Sequence, residues 1–77
     1  METRSVKAIK RLDGRITSQI LVYIHGEDKL HAYDIQRETD SEGARSYFYM
    51  VDGKRHDLKP HEVLTMRKAI REVRDDK

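Results

Sequence analysis

Tyr23, Tyr47 and Tyr49 fall on strand-like stretches, and Lys7, Arg11, Arg15, Arg45, Lys54 and Arg55 fall on or beside the same stretches. Aromatic rings on an open sheet face can stack on bases while lysine and arginine hold the phosphates. The plainer reading is that tyrosine suits a half-exposed strand. The same open face also suits protein docking or dimerisation. A second basic set lies near the C-terminal end, where Arg67, Arg71 and Arg74 recur at helical spacing with Leu64 in the same stripe. This flank offers a contact surface to phosphate or to an acidic partner. Its plainer reading is a solvated face on which arginine stems cover the edge of the core.

Other chemistries find little support. His25, His31, His56 and His61 show no zinc-ligand spacing, and there is no cysteine to assist them. No Gly-x-Ser-x-Gly elbow occurs, and the four glycines all sit in turn-like contexts rather than in a phosphate-binding loop. The acid pairs Glu27-Asp28 and Asp75-Asp76 lie in a turn and at a chain end, too wet to shift a carboxylate pKa far. A cofactor-sized pocket is hard to build in so small a domain. The expectation is a non-enzyme with no cofactor and no metal.

The elements that must position these residues follow from periodicity. Val63, Met66, Ile70 and Val73 recur at intervals of three, four and three, with Ala69 beside them, which predicts an amphipathic helix within Leu58 to Arg74. Pro60 suits its first position, Glu62 its third, and Lys59 its cap. Leu58 and Val63 can staple its start. Residues 1–4 read as a flexible polar lead-in and 75–77 as a frayed end.

Before the helix, Ser5–Leu12, Arg15–His25, Leu30–Glu38 and Arg45–Val51 read as strands, and Lys54–Leu58 as a short fifth. Asp13-Gly14 and Asp52-Gly53 are hairpin signals, the first read as a two-residue type I′ turn that pairs Ile9 with Ser18 and brings Ile9 into the core. Ile16, Ile20, Val22 and Ile24 share the expected inner face of the second strand. Phe48 and Met50 are expected to face the helix, leaving Tyr47 and Tyr49 on the open side with Tyr23. For Leu30–Glu38 the pattern leaves the inner face open. The predicted fold is α+β: an antiparallel meander of four or five strands with one C-terminal helix packed on one face. A curved antiparallel sheet followed by a C-terminal helix, about Tyr47 to Val73, resembles the arrangement of small single-strand-binding transcription coactivators. It carries no diagnostic motif, and no residue role is transferred.

Seventy-seven residues make one small domain, residues 1–77. Sixteen basic and fourteen acidic residues leave a net charge of +2, mild for a committed electrostatic binder of nucleic acid. No run approaches the ~20 apolar residues of a membrane span, and METRSVKAIKR contains no signal-like apolar segment. The expected location is cytoplasmic. Two functional readings result. The first is a small protein-binding module acting through Leu64, Arg67, Arg71 and Arg74. It would be a regulator or inhibitor of a larger host complex, of the kind phages and mobile elements encode in short reading frames. The second is a nucleic-acid-binding accessory module using Tyr23, Tyr47, Tyr49, Lys7, Arg11, Arg45, Lys54 and Arg55. A homodimer is compatible with either.

Overall fold

The computed structural model describes residues 1–75. They form strands β1 (Glu2–Lys10), β2 (Ile16–Ile24), β3 (Lys29–Asp34), β4 (Gln36–Thr39), β5 (Arg45–Val51) and β6 (Lys54–Asp57), then helix α1 (Pro60–Asp75). The class is α+β, as the patterning predicts, but with six strands rather than four or five. They lie in two antiparallel three-stranded sheets, β1-β2-β3 and β4-β5-β6. The extra strand arises from Leu30–Glu38, which breaks at Ile35. Its first half pairs with β2 and its second with β5. The bend turns the inner faces of the two sheets toward each other, so that Tyr33 of β3 stacks on Tyr49 of β5 with ring centroids 5.5 Å apart.

Two expectations about strand faces are corrected. The first concerns the β1–β2 hairpin. Gly14 has φ of +89° but Asp13 keeps a negative φ, and a type I′ turn requires both to be positive. The loop is instead a three-residue one, Leu12-Asp13-Gly14, closed by Arg11 N–H to Arg15 O (2.7 Å) and Gly14 N–H to Arg11 O (2.9 Å). That extra residue shifts the register by one, which flips every side chain of β1. Ile9 pairs with Thr17 and Val6 with Ile20, so Val6 rather than Ile9 packs against the core. Asp52-Gly53, with φ of 50° and 80°, does make the two-residue turn, and Val51 pairs with Lys54.

The second correction concerns β5. Tyr49 is 3% exposed and belongs to the core, whereas Met50 is 38% exposed. Tyr47 and Val51 share the inner side with Tyr49. Both faces of Tyr47–Val51 are apolar, so alternation alone does not choose between them. Burying the three-residue set removes more apolar surface than burying Phe48 and Met50. Phe48 is then covered on the outside by the Arg55 guanidinium, 4.1 Å from its ring centroid. Burial pushes the Tyr49 phenol above its ordinary pKa, with the neighbouring Arg4 cation pulling the other way.

Ile20, Val22, Tyr49, Leu58 and Met66 form the buried core, with Val63 and Ile70 of the helix packed against it. The helix begins as its sequence predicts. Pro60 is its first residue, and the Glu62 carboxylate reaches back to accept the Lys59 N–H at 2.7 Å. Lysine has no acceptor of its own to cap a helix, and Glu62 supplies the capping-box bond. The same Oε1 accepts from Arg4 Nη2 at 2.8 Å, and Glu62 itself is 4% exposed. Residues 2–4, expected as a lead-in, are therefore part of β1, with Arg4 tying that strand to the helix start. Of the end expected to fray, Asp75 closes the helix and residues 76–77 lie outside the described residues.

Candidate functional site

The helix packs against β1 and β2, and its Arg67–Arg74 flank is turned toward the place where the two sheets diverge. An open groove of about 780 Å³ results. Six exposed arginines ring it: Arg11 from the first hairpin, Arg37 from β4, Arg45 from β5, and Arg67, Arg71 and Arg74 from α1. Ile16, Ile35, Tyr47, Met66 and Ile70 make its apolar floor. A second depression of about 290 Å³ adjoins it, sharing Arg45, Tyr47 and Arg67 and continuing past Pro60 and Val63. Together they run the length of the helix from Pro60 to Arg74, roughly 21 Å at ~1.5 Å per residue.

Strand parity explains the convergence. Inward-facing Tyr33 and Ile35 are followed two residues on by Arg37, which pairs with Tyr47. Arg45, Tyr47 and Tyr49 run along one face of β5 from rim to core. Helical spacing brings Arg67, Arg71 and Arg74 up the opposite wall.

Among the described residues, none of the six guanidinium groups lies within ion-pair distance of a carboxylate; the arginines that do are Arg4, Arg15 and Arg55. Arg11 bonds only a neutral hydroxyl, that of Thr17 at 3.1 Å. The one acid on the lining is Asp34, whose Oδ1 accepts from Gln19 at 3.1 Å. Six positive groups against one negative give the groove +5. With the whole chain at +2, everything outside the groove sums to −3. The mild net charge thus hides a strongly polarised molecule. Collecting like charges in one place costs folding energy, and among the described residues no ion pair of these six offsets it.

The groove joins residues that the sequence divides between two readings. Arg67, Arg71 and Arg74 meet Arg11, Arg45 and Tyr47 there. The other candidates stand apart. Leu64 is 65% exposed and does not line the groove. Tyr49, expected on the open side, is buried in the core. Tyr23 lies on the outer face of the first sheet, donating to Asp28 at 3.0 Å. Lys7 is on that same outer face, paired across from Gln19. Lys54 is exposed on β6. Arg55 lines the second depression rather than the arginine ring, where Asp57 at 2.9 Å and Glu38 hold it with bonds that raise its already high pKa.

The tyrosines do not form an open stacking platform. His31, Tyr33, Tyr49 and His56 make a ladder of rings between the sheets, with centroid separations of 6.1, 5.5 and 5.2 Å. Sequence reasoning missed Arg37 and the floor residues Ile35 and Ile16 as site members. Arg37 was findable by extending the parity of Tyr33 and Ile35 once their face was known.

Among the described residues, no three histidine, aspartate or glutamate side chains gather closely enough to hold a metal ion, and no helix is long and apolar enough to cross a membrane. No protein-family model, no curated protein and no solved structure matches the chain.

Proposed function

We propose that the chain is a small non-catalytic module that binds a protein partner through the arginine groove, acting as a regulator or inhibitor of a larger complex. The observation that supports this reading is the ring of six arginines around an apolar floor, none of them paired with a carboxylate among the described residues. Unpaired, exposed guanidinium groups are poised for carboxylates, which they bind bidentately. An apolar floor inside a charged rim has the make-up of a protein interface, where arginine and aromatic anchors are enriched.

The test is capture from host lysate with the tagged chain, with and without nuclease, for wild type and for Arg71→Glu. Arg71 is exposed on the groove wall, so the reversal leaves folding intact. The reading predicts one dominant protein that survives nuclease and is lost with Arg71→Glu. A protein captured equally by both forms would place the interface elsewhere. A second reading, a nucleic-acid accessory module, draws on the guanidinium set itself and on Tyr47 within the groove. It predicts nucleic acid in the eluate and loss of protein on nuclease treatment.

A further inference from the structure

Resting on the protein-binding reading, we infer that the groove takes an extended acidic segment of the partner that carries one bulky apolar side chain among its carboxylates. The inference comes from how charge and apolar surface are distributed along the groove. The floor is aliphatic where Ile16, Ile35, Met66 and Ile70 meet, and arginines stand on both walls around it. A carboxylate or phosphate placed on that floor would lose water without gaining a partner, which is unfavourable. An apolar side chain placed there gains burial, and acidic neighbours on either side of it reach the arginine walls.

Length points the same way. The combined groove, Pro60 to Arg74, is roughly 21 Å long, which matches about six residues of extended chain at ~3.3 Å each. Arg45 and Arg67 stand where the two depressions join, and toward Pro60 the lining is Arg55 held by Asp57 with Leu58 and Val63, so the segment's carboxylates meet the ring's cations from the junction to Arg74. A single nucleic-acid strand fits less well. Its bases need open aromatic faces, yet Tyr33 and Tyr49 are stacked between the sheets and Tyr47 is half-buried. Nucleic acid would use the walls and leave the floor empty.

Fluorescence anisotropy with three probes tests this. The first is a short peptide of glutamates with one central phenylalanine, the second the same peptide with alanine at the centre, the third an oligothymidylate of similar length. The expected result is binding of the phenylalanine peptide, weaker binding of the alanine peptide by roughly tenfold or more, and no measurable binding of the phenylalanine peptide to Arg67→Glu/Arg71→Glu. Placing the anchor change in the probe avoids variants of the floor, which could unfold the chain. Equal affinity for the two peptides would overturn the anchor, and tighter binding of oligothymidylate than of either peptide would overturn the acidic segment. Peptides ignored while Arg71→Glu abolishes lysate capture would sink this inference but leave the groove as the site. Peptides ignored while capture survives Arg71→Glu would sink both.

Discussion

Glu62→Gln is the sharpest probe of how the helix start is fastened to the first sheet. Glu62 serves two elements with one oxygen: it caps the helix through Lys59 N–H and pairs with Arg4 of β1. Glutamine keeps the shape and an acceptor for the cap but removes the negative charge. Arg4 is then left 15% exposed, with Glu2, 3.9 Å away and 49% exposed, as its nearest carboxylate. Removing one partner of a fully buried ion pair costs about 3–5 kcal/mol; the residual exposure of Arg4 and the fallback to Glu2 reduce this to about 2–3 kcal/mol. For a domain of this size each kcal/mol moves the midpoint by ~4–8 °C, so Glu62→Gln should melt about 10–20 °C below wild type. Glu62→Ala also removes the cap and should lose about 1 kcal/mol more. Thermal and urea unfolding followed by circular dichroism measure both. Arg4→Met, alone and combined with Glu62→Gln, completes a double-mutant cycle in which the double variant loses less than the sum of the single ones. A Glu62→Gln loss below about 0.5 kcal/mol, or strictly additive losses, would refute the view that this pair fastens β1 to the helix start.

Alkaline stability should depend on Tyr49. Its folded pKa lies above the ordinary tyrosine value of 10.0, so the native state holds the proton longer than the unfolded chain. The contribution is whole below about pH 10 and is lost as pH rises through the native value. Tyr49→Phe should therefore show a shallower fall in melting temperature above pH 10; a slope as steep as wild type would count against burial of the phenol. Gly14→Ala, at φ of +89° with open space around the new Cβ, should cost about 1 kcal/mol from backbone strain alone, read from urea midpoints. Leu64→Asp, on an exposed position outside the groove, should leave the melting temperature unchanged and weaken partner capture less than Arg71→Glu does. Partner binding should weaken as salt rises from low to physiological strength, since the arginine ring is solvent-exposed; titrations at two ionic strengths check it.

Legibility in the sequence follows how one-sided each segment is. The helix was readable down to Pro60 and Glu62 because only one arc of it is apolar, and the structure buries that arc. Strand β2 was readable because its four isoleucine and valine positions, Ile16, Ile20, Val22 and Ile24, oppose a face that Thr17 and Gln19 make partly polar, although Leu21 and Tyr23 share that face. Strand β5 was not, because Tyr47, Tyr49 and Val51 compete with Phe48 and Met50 and both sets are apolar. Strand β1 was lost to a single residue: Asp-Gly serves a two-residue turn at Asp52-Gly53 and a three-residue one at Asp13-Gly14, and local sequence does not separate them. The site was half legible for the same reason. Helical period exposed Arg67, Arg71 and Arg74. Arg37 and Arg45 join them only once the faces of β4 and β5 and the bend at Ile35 are known. Net charge misled most, because +2 for the chain is the sum of a groove at +5 and a remainder at −3.

Whether the arginine groove is the binding site is read from the arginine side-chain nitrogen–proton correlation spectrum of the labelled chain, recorded as the glutamate peptide with a central phenylalanine is added. The resonances of Arg11, Arg37, Arg45, Arg67, Arg71 and Arg74 should move together, while those of Arg4 and Arg15, which lie outside both depressions and are paired with Glu62 and Asp13, stay in place. Shifts spread evenly over all arginines, or confined to backbone signals of the outer face around Leu21, Tyr23 and Leu30, would contradict the groove as the site.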